Sequence, residues 1–232
     1  MRLKISKRWM IIFWFACMPL LCGIIMCTQQ GIKLHEIYLP NSQWNDELIY
    51  YKWVEGSSVY GIPQGYFGYD ESHADYLNFG TWSPILNIFW VIYARVFGWS
   101  LISPIICNIL LLCVAMFLFA LWVKPTWYQA LALGMLYAAH TTISRFMLSA
   151  LPETACYFLL ILVIGLTLKP NKKRCVIFLL FFFVFLLTLM RPYYLLLFFL
   201  PGYFFAVSEK KKSVPILLTM LIVCLGGVRI SG

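Results

Sequence analysis

Apolar residues run in long blocks along this chain, separated by short basic clusters and by one long polar segment. The first block, Trp9 to Cys27, follows Arg2, Lys4, Lys7 and Arg8. It is long enough to cross a bilayer core of ~30 Å. A cleavable signal peptide has a shorter apolar core and a small-residue cleavage site, and no such site follows here. Residues 9–27 therefore read as an uncleaved first span. From Thr28 to Ser83 the pattern turns polar and aromatic. An apolar stretch, Pro84–Gly98, follows, too short for a comfortable span and flanked by Trp82 and Trp99. It is expected to lie as a helix in the outer interface, where Trp and Tyr are favoured.

The basic clusters set the crossing parity. They are the N-terminal four, then Lys124, then Lys169/Lys172/Lys173/Arg174, then Lys210/Lys211/Lys212. If all are cytoplasmic, an even number of crossings separates each from the next. Between Arg174 and Lys210 a continuous helix would measure about 50 Å, too long for one crossing. Arg191-Pro192 divides it, because proline disfavours helical geometry in the residue before it. A hairpin is expected, Cys175–Met190 and Pro192–Val207. Thr126–Leu168 is read likewise, broken around Ser144-Arg145 and Pro152-Glu153. With Trp99–Val123 and Val214–Ile230, the expectation is an all-α polytopic membrane protein of about seven spans. Its N-terminus is cytoplasmic, residues 28–98 form an extracytoplasmic first loop with short amphipathic helices, and six further spans fill 99–230. All of it reads as a single membrane domain, 1–232. The sequence ends at Gly232 directly after a predicted span, so a truncated domain is expected.

Composition strengthens this picture. Of 232 residues, 62% are hydrophobic and only 12% charged, and the mean hydropathy is +0.82. A soluble domain carries about twice that share of charge. The net charge of +9 does not imply nucleic acid, because most basic residues flank apolar runs. All eight cysteines lie in or beside apolar stretches without CxxC or zinc spacing, and read as small buried hydrophobes. A Walker A loop, H-E-x-x-H and Gly-x-Ser-x-Gly are all missing, so neither ATP-driven transport nor soluble-type hydrolysis has support.

Candidate chemistry concentrates outside the membrane. Seven of the nine acidic residues fall in the first loop: Glu36, Asp46, Glu47, Glu55, Asp70, Glu71 and Asp75. In the segment from Trp44 to Lys52, Leu48, Tyr51 and Val54 fall at helical spacing, so a short helix is expected to start at Asn45 or Asp46. Asp46 then either caps that helix or acts as a general base. The helix dipole favours its charged form, which suits both roles. In the segment from Gly65 to Asp75, Tyr66 and Tyr69 could stack on a sugar face. Asp70, Glu71, His73 and Asp75 either ligate a divalent metal or form a solvated loop. No firm cofactor follows. Arg145, Glu153 and Arg191 sit at the expected outer helix ends, where ionisable groups are often functional. Arg145 and Glu153 either pair at a hairpin tip or serve a ligand, since arginine suits phosphate. His140 reads as a satisfied interior histidine.

Taken together, these segments resemble the N-terminal part of a GT-C-type membrane glycosyltransferase, the polyprenyl-phosphate-sugar-dependent superfamily that includes protein-mannosyltransferase-like enzymes. The resemblance rests on one helix leading into a long outer loop and on Asp46-Glu47-Leu48-Ile49-Tyr50 opening a short helix there. It rests also on Trp82-Ser83-Pro84 before a segment ending Phe97-Gly98-Trp99, and on the run Arg145 to Glu153 entering a span from outside. It implies that Asp46, beside Glu47, deprotonates an acceptor hydroxyl while the sugar leaves polyprenyl phosphate with inversion. It implies that Glu153 orients the acceptor or the base, with Arg191 and Arg145 on the donor phosphate. Tyr50, Tyr66, Tyr69 and Trp82 would contact sugar or acceptor. The expected partners are the bilayer and a polyprenyl-phosphate-linked sugar, with no ATP and no nucleic acid, in a plasma membrane. Family members usually have more helices than this chain. The competing reading is a non-catalytic polytopic protein, such as a lipid-linked-sugar transporter subunit, an assembly partner or an inactive fragment.

Overall fold

The computed structural model describes residues 7–33, 36–37, 46–60, 84–170 and 173–209. Within them the fold is helical, with no strand among the described residues. The helices are α1 (Lys7–Gln30), α2 (Asp46–Tyr60), α3 (Ile88–Phe97), α4 (Ser103–Val123), α5 (Trp127–Ala139), α6 (Thr141–Met147), α7 (Glu153–Leu168), α8 (Arg174–Met190) and α9 (Phe199–Glu209). Two 3-10 segments, Pro84–Asn87 and Pro192–Phe198, lead into α3 and α9.

Helices α1 and α4 are long and apolar enough to cross a membrane, while α7 and α8 are apolar but shorter. Core composition shows how the helices run. Ile12 and Phe15 of α1 pack with Phe119 and Ala120 of α4, whereas Cys27 packs with Ile105 and Ile109. The two helices are thus antiparallel, and Phe15 stacks on Phe119 at 5.8 Å. Helix α7 runs alongside α4 in the same direction, with Gly165 against Phe119 and Trp122. Helix α8 returns, bringing Arg191 back to Glu153 at the start of α7. The chain then turns again, and Phe198 lies 6.2 Å from Phe181 of α8. Small residues permit these approaches, as at helix contacts in membranes. A Cβ on Gly134 would meet Trp14 at 3.2 Å, and one on Gly23 would meet Met147 at 3.0 Å.

Large apolar side chains also cover the outside of the bundle, including Phe13, Leu110, Val114, Phe178 and Phe182. A helix that is apolar on every side suits a lipid surround.

Several boundaries differ from the sequence expectation. The first helix runs from Lys7 to Gln30, past both ends of the expected block. Helix α4 starts at Ser103 rather than Trp99, because the chain turns at Gly98 with φ 84° and is drawn into a polar turn where the Ser100 N–H donates to Ser103 Oγ. The break expected at Ser144-Arg145 lies at His140, whose ψ of 72° ends α5. Arg145 instead sits in the last turn of α6. His140 is exposed at that break, not interior. The stretch after Arg191 begins as a 3-10 segment before α9. The stretch expected as an interfacial helix folds as the 3-10 turn Pro84–Asn87 followed by α3. The expected final span, residues 214–230, lies outside the described residues.

Candidate functional site

The sequence-predicted site residues Glu47, Tyr50, Arg145, Glu153 and Arg191 fall at the α2, α6, α7 and α8 termini or on α2 itself. Helix α2 lies on α3, with Tyr50, Tyr51, Trp53 and Val54 packed against Trp90, Ala94, Cys107 and Ala150. Tyr51 stacks on Trp99 at 5.3 Å. Burial raises the Tyr51 phenol above its ordinary value, and nearby Glu55 adds to this. The phenol therefore stays protonated at neutral pH.

Asp46 opens the described part of α2, in keeping with the start expected at Asn45 or Asp46. Glu47 is fully buried. Tyr50 is buried too, its ring edge-on to Trp53 at 5.7 Å. Both belong to the core under α2, so contact with a ligand there requires α2 to move. Tyr66, Tyr69, Trp82 and the metal candidates Asp70, Glu71, His73 and Asp75 lie outside the described residues. Among the described residues no group of three His, Cys, Asp or Glu side chains could hold a metal ion.

Glu153 opens α7 directly after Pro152. Its Oε1 accepts from Arg191 Nη2 at 2.6 Å, with the Arg191 side chain 11% exposed and that of Glu153 28%. Burial of this kind strengthens the attraction and raises the cost of losing either partner. The hairpin-tip pairing considered for Arg145 with Glu153 is therefore made by Arg191 instead.

Arg145 is exposed, at the rim of a cavity of about 430 Å³ between the end of α1 and the turn after α6. Met26, Cys27, Ile32, Phe146 and Leu151 line it. Gln30 and Ser149 add polar groups to its lining, and Leu151 also packs on the cluster that includes α2 and α3. A cation above an apolar wall matches an anionic headgroup carrying an apolar chain.

Asn108 escaped the sequence reading, although an amide inside the apolar run 103–123 is itself a signal. It is fully buried. Its Oδ1 accepts from Trp90 Nε1 at 2.9 Å, and its Nδ2 donates to the Ser149 carbonyl at 2.9 Å. A longer bond reaches the Met147 carbonyl at 3.4 Å. Asn108 thereby ties α3 to the turn between α6 and α7, meeting carbonyls that the end of α6 leaves without helical partners.

Compared with family models, with curated proteins and with solved structures, this chain has no match.

Proposed function

We propose that this chain is a GT-C-like glycosyltransferase. It moves a sugar from a polyprenyl-phosphate donor to an envelope glycan, lipid or protein acceptor at the outer face of the plasma membrane. The fold in this reading is the multi-pass one, with about seven spans, a cytoplasmic N-terminus and an extracytoplasmic first loop. The observation that carries the proposal is the cavity of about 430 Å³ that Arg145 lines together with Gln30, Ser149 and apolar side chains such as Met26 and Phe146.

In the reaction, Asp46 takes the proton of the acceptor hydroxyl as its oxygen bonds to the anomeric carbon. The bond from that carbon to the phosphate oxygen breaks, and polyprenyl phosphate leaves with the electron pair. Arg145 balances the phosphate charge. Arg191, held on Glu153, positions that carboxylate rather than the phosphate. The roles of Glu47 and Tyr50 become structural, since both are buried.

The test is transfer of a labelled sugar from a polyprenyl-phosphate donor by the protein in lipid nanodiscs. Asp46→Asn should lower the rate by about 10²–10⁴-fold, the usual worth of a general base. Arg145→Gln should raise the KM for the donor more than it lowers kcat. Undiminished transfer in Asp46→Asn overturns the reading. The second reading, a non-catalytic polytopic protein, draws on the same burial of Glu47 and on the neutralising pair at Glu153. It expects Asp46→Asn to leave function intact.

A further inference from the structure

Asn108 lies inside α4 and is followed there only by apolar residues. A buried amide in such a helix is costly unless its groups are bonded. Its three bonds all leave the helix. Oδ1 accepts from Trp90 Nε1 at 2.9 Å, and Nδ2 donates to the carbonyls of Ser149 at 2.9 Å and Met147 at 3.4 Å.

The two sides of this bridge belong to different parts of the molecule. Trp90 is on α3 and shares one cluster with Tyr50, Tyr51, Trp53 and Val54 of α2. Met147 and Ser149 lie where α6 ends, and Phe146, Leu148, Ser149 and Leu151 of that segment line the cavity beside Arg145. The rest of the lining comes from the end of α1 and the residues after it. Helix α4 reaches that part too, since Ile105 and Ile109 share a core with Cys27, Met147 and Leu148. Apolar contacts of this kind are non-directional and tolerate sliding. An amide bonded on both sides is directional and holds one register. Within the segment, Ser149 Oγ donates to the Phe146 carbonyl at 2.9 Å and accepts from the Leu151 N–H at 3.3 Å. Residues 146–151 are thus tied together, and a pull on the Ser149 carbonyl moves the cavity wall.

We infer that Asn108 is a positioning residue: through it α3, with α2 packed on it, holds the 146–151 wall of the cavity and sets how tightly the cavity takes an anionic amphiphile. Asn108 is not among the residues that line the cavity, so it acts through the wall and not on the ligand. A shift of α2 and α3 reaches the cavity by this route. The ligand class rests on the reading of the cavity proposed above, whereas the hold on the wall rests on the hydrogen bonds alone.

Two readouts on the full chain in lipid nanodiscs test this. The first is hydrogen exchange of the 146–151 amides. Asn108→Leu, close in volume, should speed it by about tenfold, and Trp90→Phe, which removes one of the three bonds, by less. The second is octyl phosphate, titrated while thermal unfolding is followed by tryptophan fluorescence. Inorganic phosphate and octyltrimethylammonium are the controls for the chain and for the sign of charge. Octyl phosphate should raise the Tm of the native chain saturably, and neither control should. Its apparent Kd should rise about tenfold in Asn108→Leu and less in Trp90→Phe. Gly165→Val, which crowds the α4–α7 contact at Phe119 and Trp122, should lower Tm and leave both readouts as in the native chain. Unchanged exchange at 146–151 in Asn108→Leu and Trp90→Phe overturns the inference. So does unchanged octyl phosphate affinity in both, or an equal loss of affinity in Gly165→Val, which would trace the effect to general loosening. If Asn108→Leu fails to fold, Trp90→Phe decides. A native chain that binds octyl phosphate no better than the controls, or undiminished binding in Arg145→Gln, removes the donor reading of the cavity instead. Exchange at 146–151 then decides the hold on the wall by itself, so the two failures are told apart.

Discussion

Arg191 ends α8 with its guanidinium against a carboxylate 38 residues earlier in the chain, and that contact joins the end of α8 to the start of α7. Removing one partner leaves the other charge largely buried and uncompensated. Arg191→Met should cost about 2–4 kcal/mol and Glu153→Gln somewhat less, since a neutral amide still accepts a hydrogen bond. The double variant Glu153→Leu with Arg191→Met should lie closer to the native protein than Arg191→Met alone. Unfolding in mild detergent, analysed as a double-mutant cycle, checks this, and strictly additive losses would contradict it. Both charges are visible in the sequence as lone ionisable residues at the edges of apolar runs. Which arginine meets Glu153 is not visible. Arg145 is closer along the chain, but only the return of α8 beside α7 brings a guanidinium to the carboxylate. Asn108 teaches the same lesson, because its three bonds reach Trp90, Met147 and Ser149 on segments far apart in sequence.

At the scale of elements, the α4–α7 contact depends on a missing side chain. A Cβ at Gly165 would meet Trp122 at 3.2 Å and Phe119 at 3.3 Å, with the Phe119 backbone at 3.4 Å. The backbone cannot step aside as a flexible side chain can. Gly165→Val should therefore destabilise by about 1–3 kcal/mol through overpacking. Gly31→Ala offers the contrasting case: open space surrounds it, and its φ of 68° alone makes the substitution unfavourable. Thermal unfolding of Gly165→Val against the native chain is the measurement, and an unchanged Tm would refute the close-packing argument. Element positions were legible where punctuation is chemical. Pro152-Glu153 starts α7, Arg191-Pro192 ends α8, and Asp46 starts α2. The break between α5 and α6 lies at His140, before the expected Ser144-Arg145, and Arg145 stays helical. A long arginine side chain at the last turn reaches the polar boundary without ending the helix. The start of α5 carries a signal that the apolar pattern overlooks. Thr126 and Gln129 form a reciprocal capping box after the left-handed turn at Lys124.

Over the whole molecule, helix direction gives the two ends distinct surfaces. Tyr128, at the start of α5 near Lys124, is 83% exposed, and Tyr193, beside Arg191, is 65% exposed. In the proposed multi-pass arrangement the first lies on the cytoplasmic side and the second on the outer side. In a cysteine-free background, Tyr193→Cys should react with a membrane-impermeant maleimide on intact cells. Tyr128→Cys should react only after the membrane is opened. The same labelling from outside at both positions would refute the multi-pass arrangement. The sequence by itself determined the strongly apolar, helical character of this protein, with 62% of residues hydrophobic and two helices long and apolar enough to cross a membrane. It also placed the helix starts at Asp46 and Glu153, because acidic residues and proline act on the backbone within a few residues. The tertiary structure alone decided which of the polar groups at the helix ends meet. Pairing of Glu153 with Arg191, the cavity beside Arg145 and the bonds of Asn108 depend on how helices lie against one another. In a lipid-like surround almost every face is apolar, so hydrophobic periodicity cannot say which face turns inward. Close approach at small residues and buried hydrogen bonds settle it instead.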